Sequence, residues 1–105
     1  MFKKVCIIGC GLIGSSLARV IKKYNLSKRI VSSNRSDTVN KKVLELKIVE
    51  DSSSDTQKMV NNSDLIIIAT PLSSYKNVIQ KIKNSLTSKM ILTDVGSVKE
   101  GVIDL

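Results

Sequence analysis

Histidine and tryptophan are missing from this chain altogether, and the scarcity of several other residue types narrows what it does. Without histidine a zinc site lacks its usual nitrogen ligands, and the two cysteines, Cys6 and Cys10, are too few to build one. A bridge between those two thiols would have to cross a glycine turn, so free cysteines in a reducing cytoplasm are expected. Cys10 reads as a tolerated small residue rather than a redox sensor. Aromatic residues are limited to Phe2, Tyr24 and Tyr75, too few for a base-stacking surface, and no nucleic-acid partner is expected. Acidic residues are also few, nine against 17 lysines and arginines, which leaves a net charge of +8. The lysines are scattered, Lys22, Lys41, Lys58 and Lys81 among them, and are assigned to solvated outer helix faces; their summed field favours anionic ligands. No apolar run approaches the roughly 20 residues of a membrane helix. The start of the chain lacks the longer apolar region of a signal peptide, so a soluble, cytoplasmic protein without membrane contacts is expected.

What is present points to one domain over residues 1–105. Residues 3–8 form a short apolar run that ends on glycine, as expected of a strand buried on both faces. Ile13, Leu17, Val20, Ile21 and Tyr24 then recur at helical spacing and predict an amphipathic helix. A second strand is predicted over residues 29–33, and Ser36 or Asp37 is placed to cap a second helix with Val39, Val43 and Leu46 inward. A brief third strand is expected at 47–50, then a polar loop at 51–54. Ser54 with Gln57 fits a capping box for a short helix. Leu65-Ile66-Ile67-Ile68-Ala69 is the clearest central strand, ended by Thr70-Pro71, with Pro71 suited to open a helix carrying Tyr75, Val78, Ile79, Ile82 and Leu86 inward. A last strand is predicted at 90–93 and the beginning of a further helix at 100–105. Strands alternating with helices imply an α/β fold of Rossmann type: a doubly wound parallel sheet of about five strands in the order 3-2-1-4-5.

The turn Gly9-Cys10-Gly11-Leu12-Ile13-Gly14 gives this fold a ligand. Gly9 allows the tight exit from the strand, Gly11 a close approach of backbone to a pyrophosphate, and Gly14 close packing of helix on sheet. The N–H groups around Leu12 and Ile13 at the helix start, with the helix dipole, favour the anion. Where dinucleotide sites that take NAD carry an acid at the end of the second strand, this chain has Asn34-Arg35-Ser36. Asn34 removes a charge that would repel a 2′-phosphate, Arg35 offers a fork to bind it, and Ser33 and Ser36 offer hydroxyls. NADP is therefore expected over NAD, although Arg35 stacked on adenine would suit either. Two later loops end strands on the same edge. Thr70 and Pro71 follow the fourth strand, where Thr70 is either a helix cap or a ribose contact. Asp94, Gly96 and Ser97 follow the fifth; Asp94 either orients the loop or binds ribose, and Ser97 either caps a helix or approaches the ligand.

These stretches, from Gly9 to Ala18, from Asp64 to Leu72 and above all Thr93-Asp94-Val95-Gly96-Ser97-Val98-Lys99, resemble prephenate and arogenate dehydrogenases, in order and in spacing. The resemblance implies oxidation of prephenate to 4-hydroxyphenylpyruvate, or of arogenate to tyrosine, with loss of carbon dioxide and reduction of NAD(P). It also implies that Ser97 lies beside the nicotinamide and the substrate hydroxyl as the catalytic serine. The family's catalytic histidine, its substrate-clamping arginine and its helical dimerisation domain have no counterpart in these residues. The chain is accordingly expected to be the cofactor half of such an enzyme, inactive alone and homodimeric only with the missing domain. A free-standing nucleotide-binding module, or a domain of a β-hydroxyacid or imine-reducing dehydrogenase, is the alternative.

Overall fold

The computed structural model describes residues 1–95. Five parallel strands, β1 (Phe2–Ile8), β2 (Ser27–Ser33), β3 (Asp51–Ser53), β4 (Leu65–Ile68) and β5 (Ile91–Asp94), lie in the spatial order β3-β2-β1-β4-β5. The helices α1 (Leu12–Lys23), α2 (Asp37–Glu45), α3 (Thr56–Val60) and α4 (Tyr75–Ile82) provide the crossovers, so the expected doubly wound architecture is present. Among these residues no helix is long and apolar enough to cross a membrane.

Alternation along β1 divides the core in two. Val5 and Ile7 face one side, where Ala18 and Ile21 of α1 and Val43 of α2 cover them. Cys6 and Ile8 face the other, against Met59 and Val60 of α3 and Val78 and Ile82 of α4. Because β1 is covered on both faces, it reads as an unbroken apolar run rather than an alternating one. The pairing Ser53–Ser33–Ile8–Ile68–Asp94 sets the strand ends level, so the chain leaves several strands along one rim.

The largest departure from expectation is the third strand. Ile48 and Val49 do not extend along the edge; Lys47 has a φ of 57°, which bends the chain and drops both apolar side chains into the core. The stretch expected to be a loop pairs instead, Asp51 to Ser53 against Val31 to Ser33. On α1 the contact face is Gly14, Ala18 and Ile21, whereas Val20 and Tyr24 are exposed. Small residues at those positions bring the helix close to the sheet, which turns the larger neighbours outward. On α2 Leu46 is likewise exposed, while Asn40 is buried for a reason given below. Asp55 rather than Ser54 caps α3, its carboxylate accepting the N–H of Lys58 at 3.2 Å. Pro71 precedes a single 3-10 turn, Leu72–Ser74, and α4 begins only after it. On α4 Ile79 is partly exposed rather than inward. The helix expected at 100–105 lies outside the described residues.

Candidate functional site

A cleft of about 270 Å³ opens along the carboxyl rim of the sheet. It is bounded by the ends of β1 and β2, the residues after β4, the start of α3 and one side of α4. Gly9, Asn34, Arg35, Thr70 and Pro71, all expected at the site, line it together. Gly11, Leu12, Ile13 and Gly14 follow Gly9 at the start of α1, and Ser36 follows Arg35. Asp94 ends β5 two strands away from β2's partner β1, at the same level of the rim. Gly96 and Ser97 lie outside the described residues.

The three loop glycines are fixed by different neighbours. Gly9 sits at φ 85°, and a methyl group there would meet Thr70 Cγ2 at 2.7 Å. A methyl on Gly14 would meet the carbonyl oxygen of Gly9 at 2.8 Å and Ile7 Cγ2 at 3.2 Å. Gly11 is different: a methyl there meets no atom of the described residues within 4 Å, and its φ of −79° is open to any residue. Packing among the described residues thus accounts for Gly9 and Gly14 but leaves the space over Gly11 clear. Gly11 is also the N-cap of α1, with no side chain satisfying the first-turn N–H groups and no acid in that turn.

Side-chain hydrogen bonds to the backbone of Cys10 hold the loop. Asn34 Oδ1 accepts the N–H of Cys10 at 2.5 Å, and the Ser15 hydroxyl donates to the carbonyl of Cys10 at 3.2 Å. The Asn34 amide nitrogen donates to Asn40 Oδ1 at 2.9 Å, with the hydroxyls of Ser32 and Ser52 at 3.3 Å. Asn40 returns a bond to the carbonyl of Asn34 at 3.1 Å, and Ser52 donates to Asn40 Oδ1 at 2.6 Å. The carboxamide of Asn34 therefore points inward and joins the glycine loop to β2, α2 and β3. This network is why Asn40 is buried and why serines suit β3, since every buried donor must find an acceptor.

Burial keeps the nearby thiols protonated. The Cys6 thiol is pushed up to about 12, and burial raises that of Cys10 as well, partly offset by the hydroxyls of Ser15 and Ser32. Neither is poised as a nucleophile.

Around the cleft, Ser33 and Thr56 share a hydroxyl contact at 2.9 Å. Ser36 is committed to capping α2, its hydroxyl accepting the N–H of Val39 at 3.3 Å. The Thr70 hydroxyl is buried yet has no partner among the described residues, and Thr70 lines the cleft. It caps no helix. Among the described residues no acid lines the cleft, and Arg35 and Lys81 border it from different elements. Lys81, Asn77 and Ser74 had been indistinguishable from an ordinary solvated helix face. The signal that finds them is their spacing with Val78, whose burial sets the orientation of α4.

This arrangement combines free helix N–H groups, an open space over one glycine, an orphan hydroxyl and a cationic cleft. It is suited to an extended anionic ligand with a pyrophosphate and a ribose.

Comparison with known proteins agrees. Residues 17–105 match the family described as prephenate dehydrogenase, nucleotide-binding domain. A prephenate dehydrogenase of Lactococcus lactis is 35% identical over 104 residues, covering 98% of this chain and 29% of that protein. The crystal structure of Synechocystis arogenate dehydrogenase superposes with a TM-score of 0.81 at 26% identity, covering 94% of this chain and 34% of that one. Prephenate dehydrogenase from A. aeolicus, solved with hydroxyphenyl propionate and NAD+, gives a TM-score of 0.82 at 18% identity over 90% of this chain and 33% of that one, a likeness of fold. The chain spans about a third of the length of these relatives.

Proposed function

The chain belongs to the family of prephenate dehydrogenase nucleotide-binding domains, and from that premise we propose that it holds NADP for the oxidative decarboxylation of prephenate or arogenate, a reaction of tyrosine biosynthesis. The observation that carries the cofactor role is the clear space over Gly11, where nothing among the described residues requires a glycine. A diphosphate laid there accepts hydrogen bonds from the N–H groups that open α1. Thr70 then offers its buried hydroxyl to the ligand. The absence of any acid among the described residues lining the cleft, together with Arg35 at its edge, favours a 2′-phosphate over a bare ribose diol. The NAD+ of the A. aeolicus structure is that protein's ligand; here the residue after β2 is Asn34, and its carboxamide is occupied in holding the glycine loop.

When bound, the oxidised nicotinamide supplies the hydride acceptor. The chain's own contribution is positional: the glycine loop fixes the diphosphate, and Thr70, after β4, borders the same cleft. Ser97, with Gly96 and Asp94, is proposed to orient the substrate hydroxyl beside the nicotinamide, on the strength of the family motif alone. Hydride transfer depends on such placement more than on strong acids or bases. With no histidine in these residues, the proton of that hydroxyl must be taken by a group elsewhere, so these residues alone are expected to bind cofactor without turnover. A homodimer is proposed only for a protein that carries this domain together with a further, helical one.

The test is prephenate- or arogenate-dependent formation of NADPH by the protein that carries this domain. Turnover of either substrate supports the proposal. A folded protein that binds NADPH yet oxidises neither would contradict the assigned reaction.

A further inference from the structure

Ser74, the N-cap of α4, and Asn77, Val78 and Lys81 along it all line the cleft, at the spacing that places side chains on one helical face. Val78 and Ile82 anchor that face in the core. The carbonyl of Lys81 also accepts a hydrogen bond from Gln57 Nε2 at 2.8 Å, which ties this turn of α4 to α3. Lys81 is exposed, as are Lys76 and Lys83 on neighbouring turns, but only Lys81 of the three borders the cleft, beside Asn77.

Lys81 and Arg35 meet again at a shallower hollow at the mouth of the cleft, with Asn77 and Gln80 between them. No acid lines either space, and neither cation has an ion-pair partner among the described residues. Asp55 shares a small adjoining hollow with Lys81, but its carboxylate serves as the cap of α3. Two positive charges without a direct ion-pair partner among the described residues thus flank one opening, a repulsive arrangement that a multiply charged anion between them reverses.

Resting on the reading of this cleft as the adenosine end of an NADP site, we propose that Lys81 is a second determinant of cofactor choice, closing on the ribose 2′-phosphate from α4 while Arg35 closes on it from β2. Arg35 supplies a planar fork and Lys81 a flexible point charge, so the phosphate is gripped from both walls. An amino group on α4 serves a bare ribose little, and its contribution therefore appears in the ratio of the two cofactors.

The experiment titrates NADPH and NADH into the wild-type protein and the variants Lys81→Met, Lys81→Arg and Arg35→Met, at low and high salt, with thermal unfolding as the check on folding. Lys81→Met is expected to weaken NADPH about tenfold while NADH stays within about twofold, as for loss of one charge-assisted contact. Lys81→Arg should retain the preference, and Lys81→Met should flatten the salt dependence of NADPH binding. Equal weakening of both cofactors, or of neither, in a protein that prefers NADPH overturns the role of Lys81 and leaves the NADP site standing. A wild type that binds NADH as tightly as NADPH overturns the NADP reading, and the role of Lys81 with it.

Discussion

Gly9, Gly11 and Gly14 lie within six residues of one another, yet a side chain at each meets a different obstacle. At Gly9 both the positive φ and the Thr70 methyl oppose it, and Gly9→Ala should cost about 1–3 kcal/mol of stability. At Gly14 the obstacle is the backbone oxygen of Gly9, which cannot give way as a side chain would, and Gly14→Val should destabilise the fold. Gly11→Val meets no atom of the described residues and should cost only the poorer N-cap, about 1 kcal/mol, but abolish measurable NADPH binding. Denaturant unfolding and a cofactor titration on the three variants separate these effects. Asn34 is the second informative residue. Exchange for aspartate is the obvious way to ask for NAD, but it faces a carboxylate toward Asn40 Oδ1 and removes the donor that bond requires. Asn34→Asp should therefore lose about 1–3 kcal/mol, measured by urea unfolding, with the glycine loop loosened and both cofactors bound more weakly.

Strand β1 carries a pH dependence that follows from its burial on both faces. The Cys6 thiol is raised from 9.0 to about 12 in the folded protein, so the native state holds this proton more tightly than the unfolded chain. Its stabilisation is complete below pH 9.0 and is lost as pH rises toward about 12, at about 1.4 kcal/mol per pH unit. Cys6→Ala lacks that loss, so its deficit against wild type, measured by urea unfolding, should shrink steadily above pH 9.0. Strand β3 shows where local sequence misleads. Ile48 and Val49 are the β-branched residues of that region and Asp51-Ser52-Ser53 looks like a loop. The reverse assignment is made by Lys47 in the left-handed region and by buried partners for the serines, both of which depend on residues distant in sequence. The same holds for α1, where the sheet selects the small residues Gly14 and Ala18 over the wider apolar stripe.

At the scale of the whole molecule, the strand order and the position of the rim were legible because each strand ends in a turn and each crossover is a helix, and parallel connections leave few topologies. The glycine loop and the Thr70-Pro71 turn were legible for the same reason: both follow strands on one edge. What was not legible was the inward commitment of Asn34 and the turn of Lys81 toward the cleft, since each depends on how a helix is rotated against the sheet. Ser97 and Gly96 rest on the family motif. The central claim is that the carboxyl rim holds a dinucleotide bearing a 2′-phosphate, and the measurement that bears on it most directly is calorimetric titration of the protein with NADPH and with NADH under identical salt. NADPH should bind at least about tenfold more tightly, the worth of one good charge-assisted contact. Equal affinity, or tighter binding of NADH, would contradict the account.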